Sequence, residues 1–144
     1  MYSIKTQLSF EAAHRLYDIA TYSKECSDNL HGHSYKVNIE ISCSSLNDAS
    51  MVVDFKLIKT LLKEVIEKPY DHSCIIRECD PLKDAIVANC NKVHVVEGNP
   101  TAEWMSKTFF DMISKSLDYC PELRVERVEV QETENNIAVW TRED

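Results

Sequence analysis

The sequence predicts an α+β fold: a half-buried antiparallel sheet carrying two amphipathic helices. Three observations predict it. Residues 33–43 alternate, with Tyr35, Val37, Ile39 and Ile41 set between Lys36, Asn38, Glu40 and Ser42, the period-two pattern of a strand with one dry face. Leu57, Ile58, Leu61, Leu62, Val65 and Ile66 repeat at helical spacing with Lys and Glu between them. Strands come first, helices follow and strands return, an order that argues for hairpins rather than regular β–α crossovers.

The elements follow along the chain. Tyr2 to His14 reads as a strand or a bent pair of strands, with Leu8, Phe10, Ala12 and His14 on one face. Tyr17 to Leu30 is polar and irregular, hence a loop. Ser44 to Ser50 is a turn, and Met51-Val52-Val53 a short strand. Asp54 has the chemistry of an N-cap for the first helix, and Pro69 should end it. Residues 73–98 are the least legible stretch, with Val93–Val96 the one candidate strand. Asn99-Pro100-Thr101 opens the second helix, with Pro100 in its first turn and Met105, Phe109, Met112 and Ile113 as its apolar stripe. Arg124 to Glu132 is a strand with Val128, Val130 and Glu132 on one face, and Ile137 to Trp140 a last edge strand.

Composition bounds the function. The chain has 144 residues, 44% apolar and 28% charged, with Gly 2 and Pro 4. That suits one domain over residues 1–144 and excludes disordered and low-complexity classes. No apolar run approaches the ~18 residues of a membrane span. A net charge of −8 argues against non-specific nucleic-acid binding. Met1 to Thr6 carries no apolar signal core, so a cytoplasmic location is expected. The six cysteines form no Cys-x-x-Cys pair and should be free thiols, mostly small core residues.

Five histidines are present, and two form His31-Gly32-His33 at the entry to the clearest strand. Residues two apart on a strand point the same way, so both imidazoles can face one ion. His14 closes the first strand on matching parity. If the strands are neighbours, three imidazoles meet at one rim, the ligand set of an open catalytic zinc site; other late first-row metals suit it too. Cys26, five residues before His31, is a thiol placed to gain thiolate character beside a cation. In Asp71-His72 a carboxylate neighbours an imidazole, a pair suited to proton transfer, although either can pair elsewhere or stay solvated. Glu132 on an inward strand face needs a partner, and adjacent N–H donors of a heterocycle would satisfy it. Lys36 and Arg15 lie near the histidines in sequence and can meet an anionic substrate. His94 has no such company and reads as structural.

Phe10-Glu11-Ala12-Ala13-His14, Cys26, His31-Gly32-His33, Val53-Asp54-Phe55, Asp71-His72, Pro100-Thr101-Ala102-Glu103 and Glu132-Thr133 occur in that order. Over nearly the whole chain this resembles the 6-pyruvoyl-tetrahydropterin synthase / 6-carboxytetrahydropterin synthase family. The resemblance implies the tunnelling fold, a four-stranded antiparallel sheet with two helices on one face. It implies trimers that close a barrel of strands, paired into a hexamer, with active sites between subunits. It implies zinc on His14, His31 and His33, and Cys26 as the proton-abstracting residue, assisted by Asp71 and His72. It implies that Glu132 anchors a pterin ring, with Thr101 and Glu103 helping to build the pocket. The implied substrate is 7,8-dihydroneopterin triphosphate. The favoured product is 6-carboxy-5,6,7,8-tetrahydropterin, formed with loss of acetaldehyde and triphosphate on the way to queuosine and other 7-deazapurines. The alternatives are a 6-pyruvoyl product, an aldolase-like cleavage of dihydroneopterin, or a non-catalytic zinc- and pterin-binding protein. Four residues separate Cys26 from His31, a spacing between those of the two branches, and Glu25 is the alternative base.

Overall fold

Two long strands, β1 (Tyr2–His14) and β2 (His31–Cys43), pair antiparallel without a break from Tyr2↔Cys43 to His14↔His31. The molecule is a computed structural model, describing residues 1–19 and 23–143; positions 20–22 of the expected loop lie outside the described residues. Between the two strands one short helical turn, α1 (Lys24–Asp28), carries Cys26. After β2 the chain runs through α2 (Phe55–Leu62), a π-helical stretch over Lys63–Glu67 and a last turn, α3 (Lys68–Tyr70). Next come β3 (Ser73–Arg77), α4 (Lys83–Asn89), β4 (Val93–Val96), α5 (Ala102–Ser116), β5 (Arg124–Thr133) and β6 (Asn136–Thr141).

Among the described residues the sheet has six strands in the order β4-β3-β1-β2-β5-β6, not the expected four. The additions are β3, which pairs parallel to β1, and β4, which pairs parallel to β3; they make the sheet mixed. β3 was hidden because it does not alternate: Ser73 to Ile76 are all buried, as strands covered on both faces are. The antiparallel core β1-β2-β5-β6 matches the expected pattern.

The alternation of β1 and β2 places Phe10, Tyr35, Val37, Ile39 and Ile41 in the core. Phe10 stacks on Tyr35 at 5.1 Å between ring centroids and meets Phe109 of α5 edge-on at 5.8 Å, so aromatic contacts fasten that helix to the sheet.

Three local expectations are corrected. Met51-Val52-Val53 is a bend rather than a strand: Val52 and Val53 pack against the core, while Asn47 Oδ1 accepts the N–H groups of Ala49 and Met51 in a local turn. Pro69 does not end its helix. A proline ring clashes with the carbonyl four residues back in an α-helix. Here the wider π turn intervenes, with Lys68 N–H bonded to the Lys63 carbonyl, and the helix passes Pro69 to Tyr70. Pro100 lies before the second long helix, not within its first turn, because Thr101 is the N-cap. Asp54 caps α2 as expected, accepting from Lys56 N–H at 2.7 Å. All six cysteines are free, but only Cys43 and Cys74 are buried. Among the described residues no helix is long and apolar enough to cross a membrane.

Candidate active site

The β1–β2 register sets His14 directly opposite His31, with His33 two residues along on the same face. The three rings lie 4.6, 5.1 and 5.1 Å apart by centroid, and one nitrogen from each falls within 4.8 Å of the other two. Gly32 between them keeps the hairpin tight: a Cβ there would press to 3.3 Å on the Ala12 carbonyl oxygen.

Backbone carbonyls fix the rings. His14, fully buried, donates its Nδ1–H to the Pro100 carbonyl at 2.7 Å. His31 donates its Nδ1–H to the Asn29 carbonyl at 2.9 Å. A carbonyl can only accept, so both Nδ1 atoms hold the proton and both Nε2 atoms present a lone pair. Those Nε2 atoms face each other at 3.1 Å. Two nitrogens bound tetrahedrally to one zinc stand roughly 3.3 Å apart. Burial, then the charges of His31 and His33, push the His14 pKa down to about 4, against the opposing Pro100 hydrogen bond. His33 is also lowered, chiefly by burial. Three clustered imidazoles, two of them held by carbonyls on the far side with their Nε2 lone pairs converging, fit a late first-row metal.

Glu132 reaches the same place from β5. Its Oε1 lies 3.4 Å from His14 Nε2 and 3.5 Å from His33 Nε2. The β5–β6 pairing slips between Gln131 and Thr133, and Glu132 is the extra residue of that bulge; bulges commonly re-aim a side chain in this way. An acceptor oxygen facing an imidazole lone pair adds to the demand for a cation. The strand parity of Glu132 was legible in the sequence; its approach to the histidines was not.

Beside it opens a cavity of about 530 Å³ whose walls include Leu16, Thr101, Glu103, Glu132, Asn135 and Ile137. Its size suits a small heterocyclic ligand. Thr101 also has a structural task, capping α5 by accepting Trp104 N–H at 3.2 Å, while Glu103 sits in the first turn, where the helix dipole favours an acid. Leu16, Asn135 and Asn136 went unmarked in the sequence, and so did the Pro100 carbonyl, because nothing local announces them.

The remaining expected residues do not join the cluster. Cys26 is half-buried in α1, outside the three-nitrogen group. Its carbonyl accepts Leu16 N–H at 3.1 Å, which ties its segment to the end of β1. Glu25 next to it is exposed and accepts the Ser23 hydroxyl at 2.6 Å, a bond that lowers its pKa. Asp71 and His72 do pair, Oδ2 to Nδ1 at 2.8 Å. Asp71 Oδ1 accepts Glu11 N–H at 2.8 Å, and His72, at φ 59°, donates its backbone N–H to the Glu11 carbonyl. The Glu11 N–H, then His72, hold the Asp71 carboxyl below its usual range despite some opposing burial. Among the described residues no hydrogen bond or ion pair links this pair to the histidines or to Cys26; the His72 side chain is 79% exposed. Arg15 faces Asp80, Nε to Oδ2 at 3.1 Å. His94 is structural, stacked on Tyr70 at 4.2 Å and bonded to the Pro69 carbonyl.

Comparison with known proteins gives a consistent set. A family model described as 6-pyruvoyl tetrahydropterin synthase matches residues 3–143. A 6-carboxy-5,6,7,8-tetrahydropterin synthase of Aquifex aeolicus is 35% identical over 99% of each chain. One of Rickettsia conorii is 31% identical over 90% of this chain and 92% of its own. Among solved structures, an uncharacterised Wolinella succinogenes protein superposes with a TM-score of 0.81 at 21% identity, covering 99% of this chain and 98% of its own. The Caenorhabditis elegans 6-pyruvoyl tetrahydropterin synthase gives 0.73 at 20% identity, covering 99% and 96%. These last two share the tunnelling fold.

Proposed function

The chain belongs to the 6-pyruvoyl tetrahydropterin synthase family, and from that membership we propose a zinc-dependent lyase. It converts 7,8-dihydroneopterin triphosphate and water to 6-carboxy-5,6,7,8-tetrahydropterin, acetaldehyde and triphosphate. The observation that carries this reading is the three-imidazole centre opening beside the Glu132 cavity. The names of the relatives at 31–35% identity favour the carboxy product over the pyruvoyl one.

Each residue then has a task. His14, His31 and His33 hold the metal through one nitrogen each, with the Pro100 and Asn29 carbonyls keeping His14 and His31 in the ligating tautomer. The chemistry supplied there by zinc is Lewis acidity toward the side-chain hydroxyls of the substrate. Glu132 accepts the adjacent N–H donors of the pterin edge, and Thr101 and Glu103 close the pocket around it. Cys26 takes a proton from the substrate side chain as thiolate, with Glu25 the competing candidate.

Asp71 and His72 assist that proton transfer. Among the described residues no hydrogen bond or ion pair joins them to the histidines or to Cys26, and the reading places them in a site shared between copies, the pair of one subunit serving its neighbour. The reading therefore includes a homo-oligomer, a hexamer built from two trimers, and a reducing, cytoplasmic setting in which the free thiols persist.

A product assay tests it. The zinc-loaded protein is incubated with 7,8-dihydroneopterin triphosphate and the products are identified by mass spectrometry. 6-Carboxytetrahydropterin with acetaldehyde is the expected result. A 6-pyruvoyl product without acetaldehyde moves the chain to the other branch, and no turnover by metal-loaded oligomer leaves a binding protein.

A further inference from the structure

Residues 73–98 were the least legible part of the sequence, and in the structure they and the following Asn99 reach back to the three residues that follow His14. Arg15 Nε lies 3.1 Å from Asp80 Oδ2, with the Asp80 side chain fully buried and that of Arg15 12% exposed. Asp80 is itself fixed by its turn: its N–H bonds the Arg77 carbonyl and its Oδ1 accepts Leu82 N–H at 2.8 Å. The Tyr17 carbonyl accepts from Asn99 Nδ2 at 3.0 Å and from Arg77 Nη1 at 3.5 Å. The Arg15 guanidinium also lies 5.2 Å from the centre of the Tyr17 ring. Both ends of the Arg15–Tyr17 strap thus meet the β3–α4–β4 unit or its exit, Asp80 and Arg77 from within the unit and Asn99 just after β4.

The middle residue of the strap faces the chemistry. Leu16 lines the Glu132 cavity, and its N–H bonds the Cys26 carbonyl. His14, immediately before the strap, belongs to the histidine centre. A buried ion pair is a costly way to secure a surface loop, and here it fixes one short segment that sets a cavity wall and the Cys26 turn relative to a metal-ligating histidine.

We infer that Asp80 and Arg15, seconded by Asn99, are positioning residues for the Cys26 segment, and that the β3–α4–β4 unit is a brace for the active site rather than a lid over it. Small displacements of a reacting group cost rate steeply, so the brace acts on turnover through the placement of Cys26. The inference rests on the reading above that Cys26 serves the reaction.

Asp80→Asn tests it, since the amide keeps the acceptor for Leu82 N–H and loses the charge facing Arg15. Labelling with iodoacetamide, resolved peptide by peptide by mass spectrometry, reports on each thiol. Exposed Cys90, away from the substituted turn, calibrates the reagent, and buried Cys43 reports unfolding. The expected result is Cys26 labelling at least about threefold faster, Cys43 still protected, metal content unchanged, and kcat down about tenfold with a smaller change in KM. Cys26 labelling at the wild-type rate overturns the inference whatever the turnover. Faster labelling with wild-type turnover also overturns it, provided Cys26→Ala is inactive. If Cys26→Ala remains active, the failure belongs to the catalytic reading, and the labelling rate alone decides whether the brace exists. If Cys43 becomes reactive in Asp80→Asn, Asn99→Ala replaces it, removing one donor to the Tyr17 carbonyl, with the same outcomes read.

Discussion

The Nε2 atoms of His14 and His31 stand 3.1 Å apart, each on a ring whose Nδ1–H is committed to a backbone carbonyl. Two neutral lone pairs at that distance repel unless a cation lies between them, and burial keeps the His14 proton off at neutral pH. The fold therefore orients two of the three imidazoles as metal ligands, with His33 beside them.

His31→Ala should lose the metal, because two imidazoles then remain where the centre needs three. Metal analysis of the purified variant checks this, and stoichiometric zinc retained after dialysis would sink the three-histidine centre. In the wild type, chelation should lower Tm by roughly 5–10 °C, since a ligand present at about 100 times its Kd stabilises the folded state by about 2.7 kcal/mol. Zinc should restore the loss.

Cys26→Ala should keep its zinc and lose turnover by about 10²- to 10⁴-fold, the range expected for a positioned proton-transfer group. Steady-state assays on metal-quantified protein decide it. Near-normal turnover in Cys26→Ala, with the loss appearing in Glu25→Ala, would transfer the role to Glu25.

Glu132→Gln should weaken binding of an unreactive pterin about 10- to 100-fold, the cost of losing charge-assisted hydrogen bonds at a partly enclosed site. Metal affinity should change less. Equal pterin affinity in a calorimetric titration would remove the anchoring role and leave Glu132 as a neighbour of the histidines.

Asp71 gives the protein an acid-sensitive contribution. Its folded pKa lies below the ordinary 3.8, so the unfolded chain takes up the proton first as pH falls. The stabilisation is fully present above 3.8 and is lost as pH falls through the folded value. Urea midpoints of wild type and Asp71→Asn should therefore differ at neutral pH and converge below that range. A constant gap down to the acid limit would contradict the assignment. His72 should lose its bonded carboxylate in the variant, so turnover should also fall.

Much of the site was legible from parity. His14 follows Leu8, Phe10 and Ala12 at period two, His31 and His33 share a strand face, and Glu132 continues Val128 and Val130. Strand periodicity states which side chains share a face, and these do. β3 was illegible for the converse reason: a short strand buried on both sides carries no alternation to read. Pro69 misled because its local rule assumes an α-helical turn, and the π-helical stretch before it changes which carbonyl the ring meets.

The sequence by itself determined the alternating strands, the Asp54 cap, the identity of the three imidazoles and the family motifs, because these rest on local spacing and residue chemistry. Tertiary structure alone decided the rest. It brought the Pro100 carbonyl 86 positions along the chain to His14, set Glu132 on a bulge against the same rings, and bonded Asp71 to His72 and to the Glu11 backbone. It also turned residues 73–99 into a brace on Arg15 and Tyr17. Those relations are long-range hydrogen bonds and ion pairs. They depend on how the β1–β2 hairpin, β3 and α5 meet in space, and no periodicity within any one of those segments encodes that meeting.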